Sequence, residues 1–276
     1  MPCRIFHRKN RENRWKKTDA GQDTVEKKQK KRRKINECRA GCLEKGSQTM
    51  GNKLLLIIPA YNEAENIERV VDNLTENYPQ YDYVVINDGS SDDTSAICHR
   101  RGYNIIDHPV NLGLEGAFRT GMKYVLYRDY EGAVQFDADG QHRPEYIGDM
   151  YKAMQEGYDV VIGSRFVTEK KPFTARMIGS RLIAAAIRLA SGRSIADPTS
   201  GMRLYSRKIC AELAANVNYG PEPDTISCLA KEGVSIREVQ VRMDERIAGE
   251  SYLNALKSAW YMARMLISIL VIRNAR

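Results

Sequence analysis

Two aspartates, Asp137 and Asp139, are the most informative residues of this sequence. They follow the apolar run Gly132-Ala-Val-Gln-Phe136, which predicts a buried strand with both carboxylates at its end. Neighbouring carboxylates repel each other and lose hydration on burial, and a divalent cation with a phosphate ligand relieves both costs. The pattern therefore indicates a metal-assisted site for a nucleotide-linked sugar.

A second acidic cluster, residues 87–93, has the sequence Asn-Asp-Gly-Ser-Ser-Asp-Asp and follows the apolar run at residues 83–86. Two predicted strands therefore deliver acidic groups, including Asp88, to what would be one edge of one sheet. The alternative is that both clusters are turns that merely end strands, since Asp and Gly are ordinary turn residues.

The spacing of apolar residues predicts the elements that position these carboxylates. Strands are predicted at residues 54–58, 83–87, 103–106, 133–136 and 159–163, and helices at residues 62–74, 94–101, 114–127 and 144–156. This alternation predicts a largely parallel sheet with helices on both faces, whose ligands bind beyond the carboxyl ends of the strands. No Gly-x-Gly-x-x-Gly follows the first strand, so a glycine-rich diphosphate loop is not expected, and residues 111–116 are the nearest candidate.

Positive charge is concentrated near the N-terminus. Residues 1–49 contain 16 Lys and Arg against 6 Asp and Glu, whereas residues 50–276 contain 27 against 29. The first 49 residues have few apolar side chains, so we expect a disordered basic tail, or a native start at Met50 instead. A core with slight negative charge argues against a nucleic-acid partner. The six cysteines suggest neither a disulfide framework nor a zinc site, which favours a reducing, cytoplasmic compartment.

Short motifs extend from residue 54 to residue 272. They are Ile58-Pro-Ala-Tyr-Asn-Glu63, Asn87-Asp-Gly-Ser90, Asn111-Leu-Gly113, Asp137-Ala-Asp-Gly-Gln-His142, Gly163-Ser-Arg165, Asp197-Pro-Thr-Ser-Gly-Met-Arg203 and Arg246-Ile-Ala-Gly-Glu-Ser251. In this order they resemble the inverting glycosyltransferases of family 2, and the last two resemble the dolichyl- and polyprenyl-phosphate sugar synthases. The resemblance implies an α/β GT-A fold, Rossmann-like, with a mostly parallel central sheet flanked by helices in a single catalytic domain at residues 50–245.

The resemblance also implies a reaction and its donor site. A hexose would pass from a nucleoside-diphosphate sugar to polyprenyl phosphate with inversion, and Mg²⁺ or Mn²⁺ would neutralise the leaving diphosphate. The implied nucleotide-sugar residues are Pro59, Tyr61, Glu63, Asp88 and Asp137, and the implied metal ligands are Asp137, Asp139 and Gln141. Asp139 is also an implied catalytic residue. Asp88 has an alternative interpretation as a turn carboxylate.

The implied acceptor site is rich in arginine. Arg165, Arg176, Ser180, Arg246 and Ser251 match positions that hold the lipid phosphate, and Arg165 and Arg246 are also implied catalytic residues. Guanidinium groups bind phosphate through two parallel hydrogen bonds without losing their charge. An ionised phosphate acceptor needs no strong general base. The alternative for Arg176 is the solvated face of a helix at residues 174–190.

One segment departs from the synthases. The sequence Tyr219-Gly-Pro-Glu-Pro-Asp224 lies where relatives that glycosylate a sugar hydroxyl place a catalytic carboxylate. Asp224 or Glu222 is therefore a candidate general base for a transferase that extends a surface polysaccharide. The alternative is a loop in which Asp224 caps the following helix. A non-catalytic sugar-nucleotide-binding subunit is a further alternative, against which the intact pair Asp137 and Asp139 argues.

Residues 246–276 are predicted to form an acceptor loop and an amphipathic helix. The apolar part, residues 260–272, contains Arg264 and is too short to cross a bilayer. The pattern favours an interfacial helix on the cytoplasmic face of the membrane, or one docked on a small membrane-protein partner. The alternative is a helix packed on the domain itself. A homo-oligomer is left open.

Overall fold

A computed structural model describes residues 54–244 and 255–272. The predicted basic tail at residues 1–49 lies outside them, as do Arg246 and Ser251. The described residues form a seven-stranded sheet with the order β3-β2-β1-β4-β6-β5-β7. Its strands are β1 (Leu54–Ala60), β2 (Asp82–Asn87), β3 (Ile105–Asp107), β4 (Gly132–Gln135), β5 (Val160–Ser164), β6 (Arg203–Ser206) and β7 (Ile236–Gln240).

Helices cover both faces of this sheet, which confirms the predicted α/β class. They are α1 (Ile67–Asn77), α2 (Thr94–Arg101), α3 (Gly113–Tyr127), α4 (Ile147–Gln155), α5 (Ala175–Ser191), α6 (Arg207–Ala215), α7 (Pro223–Lys231) and α8 (Ala255–Ile267), with a 3₁₀ turn at Pro144–Tyr146 and a π-helical turn at Ser268–Ile272. Alternate residues of β1 face two different cores: Ile57 packs with Phe118 of α3 on one side, and Leu56 packs with Val71 of α1 on the other.

The predicted start of the first helix, near Asn62, is wrong. Helix α1 begins at Ile67, because Asn62 has a left-handed backbone with φ 56°. The Asn62 side chain accepts a hydrogen bond from the Ser91 backbone N–H at 2.9 Å, so the residue joins two loops and caps no helix. The strands β6 and β7 and the helix α6 were not predicted.

Strand β6 runs antiparallel to both of its neighbours, β4 and β5. Its first residue, Arg203, therefore lies at the edge where the parallel strands end, opposite Gln135 of β4 and Ile162 of β5. A short antiparallel strand in a parallel sheet thus adds a basic residue to the edge where ligands bind.

The C-terminal helical segment, formed by α8 and the π-helical turn, packs on the domain, and its binding to a membrane or to a partner stays a prediction. Met265 and Ile269 are buried against the domain, whereas Trp260, Ile267 and Val271 are exposed. One face therefore packs on the protein while another presents large apolar side chains to its surroundings. Among residues 54–244 and 255–272, no helix has both the length and the apolar composition that a membrane crossing requires.

Candidate active site

The loops that follow β1 and β2 are tied together at the edge of the sheet. The backbone N–H of Asn62 donates to Ser90 Oγ at 3.0 Å, and that of Glu63 donates to Thr94 Oγ1 at 2.9 Å. These contacts fix the predicted nucleotide residues Pro59, Tyr61 and Glu63 beside the second acidic cluster. The Tyr61 ring is exposed and offers a flat face to a ligand.

Asp88 is buried at the end of β2, where its carboxylate holds a neighbouring loop. Its Oδ1 lies 2.7 Å from His108 Nδ1 and accepts from the Leu112 backbone N–H at 2.9 Å. Gly89 has φ +67°, and a Cβ there would lie 2.7 Å from the backbone of Asn111. Asp88 therefore positions residues 108–112, and its contact with a nucleotide base stays a prediction.

Asp137 and Asp139 sit in a framework that fixes their loop. The Asp137 backbone N–H donates to His142 Nδ1 at 2.9 Å, so the proton of a neutral His142 ring lies on Nε2, 3.4 Å from Asp137 Oδ2. Asp139 Oδ1 accepts from the Gln141 N–H at 3.0 Å. A Cβ at Gly201 would lie 2.7 Å from Asp137 Oδ2, so only glycine leaves room for this carboxylate.

A cavity of about 540 Å³ brings the predicted metal ligands together. Its lining includes Asp137, Asp139, Gln141 and Arg165, and also Glu222, one of the two candidate general bases. Three further lining residues, Gln135, Arg203 and Tyr261, were not predicted to lie there. Asp224 is not part of this lining. It lies on a second cavity of about 400 Å³, to which Glu222 also contributes.

The donor set fits a hard divalent cation that is bound together with its substrate. Asp137, Asp139 and Gln141, whose side chains carry two carboxylates and one amide oxygen, line one cavity. No group of three His, Cys, Asp or Glu residues within the described ranges is arranged to hold a metal alone. Mg²⁺ and its analogues commonly use one or two carboxylates and complete their coordination with water and substrate phosphates.

Arg165 reaches the same cavity, but its charge is already paired. Its Nε and an Nη donate to the two oxygens of Asp197 at 2.7 and 2.9 Å. Asp197 is fully buried. Burial acts to raise the pKa of Asp197, but the hydrogen bonds and charge of Arg165 outweigh it and lower that pKa below its ordinary value.

The predicted acceptor residue Ser180 lies in a polar cluster behind Arg165. The buried Ser180 Oγ accepts from Lys171 Nζ at 2.9 Å and lies 3.1 Å from Thr199 Oγ1. Burial lowers the pKa of Lys171, and the charges of Arg165 and Arg181 lower it further, although Asp197 opposes them. Arg176 belongs to α5. Lys171 is therefore a cation of this region that the motifs did not reveal.

Asp224 and Glu222, the two carboxylates of the segment 219–224 that differs from the synthases, have different hydrogen-bond partners. Asp224 Oδ2 accepts from Ser268 Oγ at 2.7 Å, whereas the Glu222 carboxylate accepts from the Tyr261 hydroxyl. Both partners belong to the C-terminal helical segment. Burial raises the pKa of Glu222, although the Tyr261 hydrogen bond and the charge of Arg203 oppose the rise. Neither of the predicted acceptor residues Arg246 and Ser251 falls within the described residues.

Comparison with known proteins identifies the family. Residues 55–214 match the model for glycosyl transferase family 2. The chain is 31% identical over 214 residues to an undecaprenyl-phosphate mannosyltransferase from Micrococcus luteus, covering 73% of this chain and 88% of the relative. It is 30% identical over 215 residues to a polyprenol monophosphomannose synthase from Mycolicibacterium smegmatis, covering 73% and 81%.

A solved structure shares the fold. Glucosyl-3-phosphoglycerate synthase from Mycobacterium tuberculosis, in complex with Mn²⁺, uridine diphosphate and phosphoglyceric acid, superposes with a TM-score of 0.57 at 20% identity, covering 82% of this chain and 79% of that one. The protein is thus an α/β protein of the GT-A type. It belongs to glycosyltransferase family 2 and is a glycosyltransferase.

Proposed function

We propose that this enzyme transfers a hexose from a nucleoside-diphosphate sugar to polyprenyl phosphate, with Mg²⁺ or Mn²⁺. The observation that carries the proposal is that Asp137, Asp139, Gln141 and Arg165 all line a single cavity. Carboxylates there suit a cation with its diphosphate, and basic groups beside them suit a second phosphate. Relatives named as polyprenyl-phosphate mannosyltransferases support this acceptor.

The reaction would be a single displacement. An oxygen of the acceptor phosphate forms a bond to the anomeric carbon as the bond from that carbon to the diphosphate breaks, with inversion. A bound divalent cation would neutralise charge on the departing diphosphate. Asp137, Asp139 and Gln141 would hold that cation, and the loops around Tyr61 and Asp88 would bind the nucleoside. The acceptor is already ionised, so no side chain has to remove a proton from it.

We place the enzyme on the cytoplasmic face of a membrane, where its acceptor would lie. Helix α5 packs against α8. Large apolar residues are exposed on both: Ile178, Leu182 and Leu189 on α5, and Trp260 and Ile267 on α8, followed by Val271 in the π-helical turn. Such surfaces bind the interfacial region of a bilayer. A small membrane-protein partner and a homo-oligomer stay predictions.

A second function has one observation in its favour. Glu222 lines the Asp139 cavity as well as the neighbouring one, and burial raises its pKa. A carboxylate with a raised pKa suits a general base that would deprotonate a sugar hydroxyl. In that case the acceptor would be a saccharide of a surface polysaccharide.

The test is sugar transfer by the full chain in isolated membranes. Labelled nucleotide sugars, offered one by one with undecaprenyl phosphate and Mn²⁺, should give one solvent-extractable product that mild acid hydrolyses. Chelator should abolish it. Asp139→Asn should lower the rate at least 100-fold, since it removes a metal ligand, while Asp149→Asn, on the exposed face of α4, should leave the rate unchanged.

The outcome separates the two acceptors. Label that appears in a saccharide acceptor and never in the lipid phosphate would establish the hydroxyl reaction, and Glu222→Gln should then abolish it. For the membrane surface, Trp260→Ser should weaken sedimentation with anionic vesicles, whereas Tyr127→Ser, at another exposed aromatic residue, should not. Equal sedimentation of both variants would contradict the proposed orientation.

A further inference from the structure

Arg203 is a buried arginine at the centre of the sheet edge. It opens β6 between Gln135 and Ile162, its side chain is among the largest that are fully buried, and the residue is 1% exposed. It also lines the cavity of Asp137 and Asp139. A guanidinium group is charged at every physiological pH, so this position carries a permanent positive charge beneath the cavity.

The partners of Arg203 are neutral and incomplete. One Nη donates to the Pro198 carbonyl at 2.8 Å, and the other reaches the Glu222 carbonyl only at 3.4 Å. The buried Nε has no hydrogen-bond partner. No carboxylate of residues 54–244 or 255–272 forms an ion pair with Arg203. A buried charge without a counterion is costly, and a bound ion is one way in which such a group becomes satisfied.

The residue opposite Arg203 has an unmet hydrogen-bonding atom as well. Gln135 is its register partner across β4 and β6, and the buried Gln135 Oε1 has no partner. Gln135 lines the same cavity. A neutral amide cannot balance the charge of Arg203. One acidic group responds to this charge: burial raises the pKa of Glu222, and the charge of Arg203 opposes that rise.

We propose that Arg203 is a phosphate-binding residue, whose buried charge is balanced by a phosphate group held in the cavity of Asp137 and Asp139. The inference rests on the proposed function for the presence of two phosphate-bearing ligands. The group could be the diphosphate of the nucleotide sugar or the phosphate of the lipid acceptor, which share the same chemistry. Arg165, which was predicted to bind phosphate, already forms an ion pair with Asp197.

The experiment measures binding by calorimetry with the full chain and Mn²⁺. Uridine diphosphate and guanosine diphosphate are compared with uridine and guanosine, and a short-chain polyprenyl phosphate is compared with its alcohol. The variants are Arg203→Met, which removes the charge, and Arg203→Lys, which keeps it. The matched control is Arg119→Met, because Arg119 also donates to a backbone carbonyl and also has an unpartnered buried Nε, but does not line the cavity.

Arg203→Met should weaken the binding of the phosphate-bearing ligand about tenfold or more, since only the charged group contacts the guanidinium. The affinity for the uncharged counterpart should stay within twofold. Arg203→Lys should retain most of the affinity, and Arg119→Met all of it. A loss confined to the diphosphates would assign the donor as the source of the phosphate, and one confined to the lipid phosphate would assign the acceptor.

Equal losses for charged and uncharged ligands in Arg203→Met and Arg203→Lys would overturn the proposal, because they indicate a purely structural arginine. Unchanged affinity in Arg203→Met would overturn it as well. The result does not depend on turnover. A wild-type chain that binds diphosphate through Arg203 but transfers no sugar to lipid phosphate would contradict the proposed function and leave this inference standing.

Discussion

Two arginines at one edge of the sheet, Arg165 and Arg203, have opposite electrostatic surroundings. Arg165 follows β5 and forms two hydrogen bonds with the fully buried carboxylate of Asp197. Arg203 opens β6, is itself buried, and has two backbone carbonyls as its partners. Both residues line one cavity. They present the same functional group, but only one has its charge balanced by a described side chain.

The charge that an arginine offers to a ligand therefore depends on the tertiary structure around it. Arg165 lies in a recognisable motif, yet its counterion Asp197 is 32 residues away. A paired guanidinium attracts an incoming phosphate less strongly than an unpaired one does, because the nearby carboxylate repels the phosphate. Arg165 therefore forms a structural ion pair, and Arg203 should attract a phosphate group more strongly.

The largest expected effect on stability comes from removing the ion pair between Arg165 and Asp197. Arg165→Met leaves Asp197 buried without its counterion, and we expect the free energy of unfolding to fall by about 3–5 kcal/mol at neutral pH. Arg203→Met removes a charge that has no described counterion, so it should change the free energy of unfolding far less. Urea denaturation of both variants measures the contrast. Equal losses would show that the two arginines do not differ as described.

The pH dependence of the stability of Arg165→Met provides a control for this prediction. Arg165 lowers the pKa of Asp197 in the folded protein, so the pair's stabilisation is present at neutral pH and is lost as pH falls through that lowered pKa. The difference between wild type and Arg165→Met should therefore shrink in acid. The double variant with Asp197→Asn should recover part of the loss at neutral pH, because no unpaired charge remains.

A second prediction concerns Asp137, which lines the same cavity as both arginines. Gly201→Ala would place a Cβ 2.7 Å from Asp137 Oδ2, so Asp137 must move. We expect about 1–3 kcal/mol of destabilisation and a loss of Mn²⁺ affinity of about tenfold, measured by calorimetry with nucleoside diphosphate present. Gly148→Ala is the matched control, since its Cβ would meet only Tyr81 Oη at 3.7 Å. Unchanged Mn²⁺ affinity in Gly201→Ala would indicate that Asp137 is not a ligand of the metal.

The third prediction tests Glu222, an acid whose pKa responds to the charge of Arg203. Burial raises the pKa of Glu222, so the folded protein loses stability as pH rises through that pKa. Glu222→Gln stays neutral and should raise the free energy of unfolding by about 1 kcal/mol at neutral pH, with the gain vanishing in acid. The exposed Glu145→Gln should show no such gain. A Glu222→Gln gain of the same size at every pH would contradict the raised pKa.

The sequence predicted the parts of this site that depend on local pattern. Apolar runs located β1, β2 and β4, and the acidic residues after them were correctly expected at one edge. Strand β6 was missed because its four residues begin with an arginine and contain no apolar run, and β7 was missed because Ile236-Arg-Glu-Val-Gln240 mixes charged and apolar residues. The role of Arg203 depends on the direction of β6 and on absent counterions in the described ranges, which no local pattern encodes.

The smallest effect on the transfer rate is expected at Asp224. This prediction distinguishes the role of Asp224 from that of Glu222 in the same segment. Asp224 lies outside the Asp139 cavity and accepts from Ser268, so its carboxylate holds the C-terminal segment. Asp224→Asn can still accept that hydrogen bond, and we expect the transfer rate to change by less than about threefold, equivalent to roughly 0.6 kcal/mol. Ser268→Ala removes this hydrogen bond altogether, and it too should change the transfer rate only slightly, because the contact holds the C-terminal segment. A loss of 100-fold or more in Asp224→Asn, with Ser268→Ala unaffected, would instead make Asp224 the general base and favour a hydroxyl acceptor.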